Sequence, residues 1–310
     1  MGATEVIIKR PSVSILRASL IVAYRRFRDV WTQIYHSRTA MAGMGILIFF
    51  TFLALAAPWL APYGPRQAVS DSNPTSFLQR PNPLHPLGTN YFSFDIYSQI
   101  IWGTQTSLIV GIASAVVASV VGTAVGLISG FAGGWLDEVM MRFNDVVLSI
   151  PWLVLMIIVA AKLGVIDLTG LILVIGLTGW SVTARVIRSQ VLSIKERVFI
   201  ERARMIGVPS WRILLRHIFP NAFPLIFANT ILTVAVSILS ESVLAFLRLS
   251  PTNTVSWGKI IDEAIDNNAI GIGNPGWLIV PGLCIVFLVF GFYLFGYALD
   301  EILNPRLRRR

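Results

Sequence analysis

Six long stretches of the chain consist mainly of apolar residues, and shorter polar or basic segments separate them. These stretches lie near residues 41–61, 104–128, 144–163, 168–187, 222–247 and 277–299. A helix needs about 20 predominantly apolar residues to cross the hydrocarbon core of a bilayer. The pattern therefore predicts an all-α integral membrane protein with six transmembrane helices.

The segment before the first predicted span, residues 1–40, is basic and amphipathic. Between residues 12 and 35, apolar side chains recur at spacings of three and four residues, with arginines elsewhere. That spacing indicates a helix with one apolar face, and basic amphipathic helices bind the surface of anionic lipid. The alternative is a soluble helix that packs on other domains. We expect an N-terminal amphipathic interfacial helix with membrane lipid as its partner.

The distribution of Lys and Arg predicts the orientation of the spans. Twenty of these residues lie in one alternating set of segments, namely 1–40, 129–143, 185–221 and 300–310. Only five lie in the other set, namely 62–103, 162–168 and 248–276. Cytoplasmic loops carry the excess of positive charge. The bias predicts that both termini and the loop 185–221 are cytoplasmic and that the protein resides in the cytoplasmic, or inner, membrane.

Composition supports a membrane protein and argues against an enzyme. Hydrophobic residues make up 55% of the chain and charged residues 13%, with a net charge of +9. One cysteine and three histidines in separate segments do not form a metal site. The sequence has no GxxxxGK[ST] phosphate loop, no HExxH and no GxSxG. We therefore expect no catalysis, no cofactor and no metal in this chain.

Small and polar residues recur at helical spacing inside two predicted spans. The second span carries a ridge of small side chains, which lets another helix approach closely: Ser114, Ala118, Gly122, Gly126 and Gly130. The fifth span carries a polar stripe: Asn229, Thr233, Ser237, Ser240 and Glu241. Such a stripe either lines a path for solute or joins helices by hydrogen bonds, and both interpretations stay open. The ionisable Glu241 favours a polar cavity or a paired structural role.

The inner loop 185–221 predicts two short helices joined at a glycine. We expect helices over 198–206 and 210–217, with Gly207 in the left-handed conformation between them and Pro220 ending the second. Five arginines surround this turn: Arg197, Arg202, Arg204, Arg212 and Arg216. A DNA-binding helix-turn-helix has similar features, but both ends of this loop run directly into spans, which leaves too little chain for such a domain. The loop fits a docking element for a cytoplasmic partner better, and we expect no nucleic acid partner.

The same loop resembles a known family. Its residues match the pattern E-A-A, three residues, G, then I-x-P of permease subunits of binding-protein-dependent ABC importers: Glu201, Ala203, Gly207, Ile218 and Pro220. The segments "HPLGTN", "ESVLAFL", "SWGKIIDEA" and "PGWLIVPGL" resemble the dipeptide/oligopeptide branch, and the tail plus six spans resembles its C-type subunit. Arg202 stands where that family usually has Ala, and Arg248 and Ser250 stand where it usually has Gly.

The resemblance implies a transport function. Residues 199–218 would form the coupling-helix region, in which Glu201 and Arg204 pair with a cytoplasmic ATPase subunit. One or two such ATPases would carry the ATP and Mg, a second homologous permease would complete the pathway, and an external substrate-binding protein would deliver the solute. Peptides are the first expectation, and oligosaccharides or nickel remain alternatives.

Two other classes of function compete with this interpretation. An ATP-independent secondary transporter or channel would carry charges at the membrane midplane and an internal repeat, whereas only Glu241 lies clearly within a span. A membrane scaffold or sensor would leave the polar stripe unexplained. The importer interpretation divides the chain into four parts: the tail 1–40, the first span 41–61 with the outer loop 62–103, a transmembrane core 104–299, and the basic tail 300–310.

Overall fold

The computed structural model describes residues 28, 30–69, 77–164 and 167–303. Most of the interfacial helix expected between residues 12 and 35 lies outside these ranges, as does most of the tail 300–310. Residues 30–36 are helical and lead to Ser37. The Ser37 side chain accepts a hydrogen bond from the Ala40 backbone N–H and so caps the first long helix.

The described ranges are helical, with two isolated β-bridges in the outer loop and no longer strand among them. The helices are α1 (Arg38–Leu60), α2 (Ile96–Ala132), α3 (Gly134–Ser149), α4 (Trp152–Leu163), α5 (Leu168–Lys195), α6 (Val198–Met205), α7 (Ser210–Ile213), α8 (Phe219–Phe246), α9 (Trp257–Asp266) and α10 (Gly276–Leu303). A π-helical turn, Leu214–Ile218, joins α7 to α8. The prediction of an all-α membrane protein is confirmed.

Five helical segments are long and apolar enough to cross a membrane: α1, α2, α5, the continuous segment Ser210–Phe246, and α10. The third predicted span, 144–163, is not one helix, because α3 and α4 meet at an angle of 86°. Pro151 has no N–H to donate, and Ile150 before it adopts an extended conformation at φ −85° and ψ 127°. The third predicted span therefore consists of two helices that are long and apolar enough only together.

The small-residue ridge of α2 packs against α5, as its spacing predicts. A Cβ atom added at Gly122, Gly126 or Gly130 would lie within 3.0 Å of α5 atoms. On the opposite side of this seam, a Cβ at Gly176 would lie 2.7 Å from the Val117 side chain. The two helices therefore approach backbone to backbone, and any side chain at these positions would separate them.

The inner loop forms two helical segments, but its second half differs from the prediction. Gly207 follows α6 with φ at +78°, as predicted. Its N–H donates to the Arg204 carbonyl, and the N–H of Val208 donates to the Ala203 carbonyl, which is the Schellman arrangement. Pro220 does not end the second helix, because the π-helical turn widens the backbone just before the proline and the chain continues into α8.

The outer loop, where described, is irregular but closely packed on the helices. Asp95 caps α2 by accepting the Ser98 N–H at 2.8 Å, and its other oxygen lies 3.0 Å from His85 Nδ1. Both side chains are buried. The Asn274 side chain at the start of α10 donates to the Leu87 carbonyl at 2.7 Å. These contacts join the loop to both α2 and α10.

Candidate translocation cavity and coupling surface

A half-open cavity of about 400 Å³ lies among the spanning helices. Its walls come from α2, α4, α5 and α8, with the end of α3 and one side chain of α10. The residues that line it are Ala118, Val147, Leu148, Ile150, Pro151, Trp152, Leu155, Ile175, Thr178, Gly179, Ser181, Val182, Thr183, Asn229, Leu232, Thr233, Val236, Ser237 and Tyr293. The break between α3 and α4 thus places Ile150, Pro151 and Trp152 directly at the cavity.

Three residues of the predicted polar stripe line this cavity. Asn229 donates from Nδ2 to Thr183 Oγ1 of α5 at 3.0 Å, so the stripe also joins two helices. Thr233 donates its hydroxyl to the Asn229 carbonyl at 2.8 Å. Ser237 lies one turn further along the same wall. Asn229 therefore both lines the cavity and joins two helices, while the path for solute stays a prediction.

Ser240 and Glu241 lie beyond this wall, in contact with other protein groups. Ser240 donates to the Val236 carbonyl of its own helix at 2.6 Å. Glu241 is 1% exposed and accepts a hydrogen bond from Ser107 of α2 at 3.3 Å. Ser256, the residue that precedes α9, lies beside this carboxyl group, whereas Ser242 donates its hydroxyl to the Ile238 carbonyl at 3.0 Å. The carboxyl group therefore joins α2, α8 and the start of α9, which fits the paired structural role.

The cavity wall is uncharged. Among the described residues that line it there is no Asp, Glu, Lys or Arg, and its polar groups are hydroxyls, an amide and an indole N–H. The sequence analysis did not predict that α5 lines the cavity. The hydroxyl residues Thr178, Ser181 and Thr183, which interrupt an otherwise apolar span, could have indicated it. Trp152 could not be found from the sequence, because its position depends on the break at Pro151.

Ion pairs join α3 to α5 beside the loop 185–221. Arg188 donates from Nε and a terminal nitrogen to the two oxygens of Asp137, at 2.6 and 2.7 Å. Arg185 pairs with Asp145 at 2.5 Å, with both side chains more than half exposed. The two-point contact of Arg188 is the stronger constraint, because it is directional and less exposed. These pairs hold the α3 half of the bent segment against α5.

The predicted coupling residues divide into an exposed and a buried group. Glu201 and Arg204 are exposed on α6, and Gly207 and Pro220 are also exposed. Ala203 and Ile218 are buried, and both contact the apolar cluster that joins the loop to α5 and α8. Large apolar side chains that the protein leaves uncovered lie beside them: Met205, Ile206, Trp211 and Leu215, at 74, 80, 61 and 57% exposure.

On the opposite side of the molecule, a charged cluster lies around α9. Asn90 of the outer loop donates to Glu263 at 3.1 Å, and Lys259 donates to the Thr252 carbonyl at 2.7 Å. Burial raises the pKa of the Glu263 carboxyl, although the Asn90 hydrogen bond and the Lys259 charge act in the other direction. Burial, assisted by the charge of Arg66, lowers the pKa of the Lys259 ammonium.

Comparison with known proteins identifies relatives along almost the whole chain. The dipeptide transport system permease protein of Bacillus subtilis is 30% identical over 97% of this chain and 89% of its own length. The oligopeptide transport system permease protein of Mycobacterium bovis is 32% identical over 88% of this chain and 92% of its own length. A glutathione transport system permease protein of Pectobacterium atrosepticum is 30% identical over 91% of this chain and 92% of its own length.

Two family descriptions match the chain. Residues 25–81 match the N-terminal transmembrane domain of oligopeptide transport permease C. Residues 122–309, more than half of the chain, match the inner membrane component of binding-protein-dependent transport systems. That family comprises transport permeases, not catalytic subunits. The chain therefore belongs to the family of inner membrane permease components of binding-protein-dependent transport systems.

Proposed function

We propose that this permease forms half of the translocation pathway for dipeptides and oligopeptides in an ATP-driven importer. The observation that carries the proposal is the half-open cavity, whose wall contains Asn229, Thr233 and Ser237. A cavity open on one side is completed by a second permease of the same architecture. Relatives that cover most of the chain are named for dipeptides and oligopeptides, which supports peptides as the solute.

The energy for transport comes from a separate cytoplasmic ATPase that binds ATP and Mg. The surface formed by Glu201, Arg204, Met205, Ile206 and Trp211 supports this assignment, because an exposed apolar patch bordered by charges is typical of a protein–protein interface. Ala203 and Ile218 anchor the patch to α5 and α8. Movement of a docked ATPase would therefore be transmitted to the helices that line the cavity.

The outer face receives the substrate-binding protein, and both termini are cytoplasmic. The positive-inside bias supports this orientation. In it, the outer loop and α9 face the exterior, with Asp262, Glu263 and Asp266 on α9. Among them, Asp266 is the most exposed and offers its charge to a soluble receptor.

The test is isolation of the tagged chain in mild detergent, followed by reconstitution of the isolated assembly in vesicles. We expect a second permease, an ATPase and a receptor to co-purify, and we expect ATP-dependent uptake of labelled peptides. A labelled maltooligosaccharide and nickel serve as comparison solutes. Uptake driven by an ion gradient without ATP, by the chain alone, would overturn the proposal.

A further inference from the structure

We propose that Trp152, Gly179 and Ser181 form a neutral hydrogen-bonding subsite for the backbone amide groups of the passing peptide, and that the missing side chain at Gly179 sets the side-chain size that the cavity admits. This inference rests on the proposed peptide function and adds the groups that hold the peptide inside the membrane.

Two polar atoms beside the cavity have no hydrogen-bond partner among the described residues. They are the indole Nε1 of Trp152 and the hydroxyl oxygen of Ser181, and both are buried. Ser181 as a whole is 2% exposed, yet it lines the cavity. Buried polar groups in proteins are nearly always satisfied, so a ligand in the cavity is the natural partner for these two.

The space next to the indole comes from a glycine that helix packing does not require. A Cβ added at Gly179 would lie 3.8 Å from the Ala118 Cβ and 3.9 Å from Trp152 Nε1, which are ordinary contact distances. At Gly176, one turn earlier, the same atom would lie 2.7 Å from Val117. Gly176 is therefore needed for the contact with α2, whereas Gly179 leaves open volume in front of the Trp152 N–H.

The chemistry of these groups fits an amide. The indole N–H can only donate, which matches a peptide carbonyl, and the Ser181 hydroxyl can donate to a carbonyl or accept from an N–H. Because the described lining carries no charged side chain, the wall offers no opposite charge to a free ion or to a charged side chain of the peptide. Neutral contacts to the backbone would serve peptides of any net charge.

The first test compares two tryptophans in the reconstituted importer. Trp152→Phe removes the N–H and keeps an aromatic ring, and we expect the amount of peptide moved per ATP hydrolysed to fall about two- to tenfold, the range of one lost neutral hydrogen bond. Trp277→Phe is the matched control, because its buried Nε1 is also unpartnered but does not line the cavity. Ser181→Ala and its control Ser114→Ala form a second matched pair. Both hydroxyls are buried and unpartnered, but only Ser181 lines the cavity.

The second test concerns size. Gly179→Leu fills the space beside the indole, and we expect the ratio of uptake of a Phe-rich tripeptide to that of a Gly/Ala tripeptide to fall roughly tenfold. Gly282→Leu adds the same volume on α10, where nothing lies within 4 Å of the new Cβ, and it should leave the ratio unchanged. The ratio of the two uptake rates does not depend on the amount of assembled protein. Any difference between the two tripeptides in affinity for the receptor affects the variant and the wild type equally.

Each result decides between the alternatives. Equal behaviour within the Trp152/Trp277 and Ser181/Ser114 pairs, or an unchanged size ratio in Gly179→Leu, would overturn the subsite while peptide transport by the wild type stands. If Gly179→Leu fails to assemble with its partners, the tryptophan and serine pairs decide alone. A wild-type assembly that moves no peptide would overturn the proposed function, and the subsite with it.

Discussion

Two residues after the end of α6, α8 and α9 the backbone adopts the left-handed conformation, and a different amino acid occupies that position in each case. Gly207 follows α6, Arg248 follows α8 and Asn268 follows α9, with φ of +78°, +62° and +50°. Glycine adopts this conformation freely and asparagine tolerates it, whereas arginine rarely does. Arg248 compensates through ion pairs to Asp262 and Asp266 of α9. The family's usual glycine is thus replaced by a side chain that ties α8 to α9.

Gly207 should tolerate asparagine but not valine. No atom lies within 4 Å of a Cβ built at this position, so a substitution there costs conformational strain and no clash. A β-branched residue in the left-handed region costs about 1–2 kcal/mol, which is enough to displace α6 from the second helical segment. We expect Gly207→Val to insert and assemble but to lose most peptide uptake, and Gly207→Asn to retain it. Normal uptake by Gly207→Val would contradict the role of this turn in coupling.

Glu263 should make the outer face less stable as the pH rises. Burial raises the pKa of its carboxyl above the ordinary value of 4.5, so the protonated form is favoured by folding. Its contribution to the free energy of unfolding is therefore complete below about pH 4.5 and is lost as the pH rises through the higher folded pKa. The nearby charges are Lys259, Asp262 and Arg66.

Glu263→Gln keeps an acceptor for Asn90 and removes the ionisation. Thermal unfolding in detergent, measured at about pH 5 and about pH 8, should show a smaller drop in midpoint for this variant than for the wild type. Glu138→Gln is the control, since Glu138 is an exposed carboxyl group on α3 that is not among the groups acting on Glu263, and this variant should keep the drop of the wild type. An identical drop in wild type and Glu263→Gln would contradict the assignment.

At the scale of helices, the position of the spans was predictable from the sequence, but their continuity and full length were not. Runs of apolar residues located the long helices because a span needs about 20 such residues, yet α2 extends well beyond the predicted 104–128 at both ends. The break at Pro151 was not predicted, because this proline lies within one of the apolar runs. Pro220 suggested the end of a helix, but a π-helical turn before it lets the helix continue into α8. The cavity itself could not be derived, because it depends on how α4 is placed against α5 and α8, although the polar Asn229 and Thr233 pointed to it.

The pair between Asp137 and Arg188 should hold the α3 half of the bent segment in place. Their side chains are 14% and 31% exposed, so solvent weakens this contact only in part. In a double-mutant cycle with alanine at each position, we expect a coupling energy of about 1–2 kcal/mol from unfolding in detergent. The Glu138 and Arg142 pair, at 3.8 Å and more than two-thirds exposed, is the matched control and should give about zero. Equal couplings would show that the buried geometry contributes nothing.

The whole molecule separates the two surfaces for which we propose different partners. The proposed coupling surface, with Trp211 and Arg204, lies on the loop 185–221, and the charged cluster around α9 contacts the outer loop. The cavity lies between helices that continue to these two regions, since α8 runs from the π-helical turn to Phe246. A rigid α2–α5 seam on one side would let the other walls move relative to it.

Site-directed labelling tests the orientation of these surfaces. In a Cys284→Ala background, Leu84→Cys and Glu138→Cys place single thiols at exposed positions of the outer loop and of α3. A membrane-impermeant maleimide should label Leu84→Cys in intact cells and Glu138→Cys only after permeabilisation. Labelling of both in intact cells, or the reverse order, would contradict the cytoplasmic placement of the inner loop.

The bend of 86° between α3 and α4 also has a topological consequence, because it determines the parity of the chain. If this pair turned back instead of crossing, the chain would cross five times, its ends would lie on opposite sides, and the loop 185–221 would face outward. In that case 11 of the Lys and Arg residues would lie inside and 14 outside, whereas six crossings place 20 inside and 5 outside. The charge bias exists only for an even number of crossings. The proposed orientation therefore requires the kinked pair to count as one passage. In that orientation, Pro151 sets the shape of the passage without changing the side on which the chain ends.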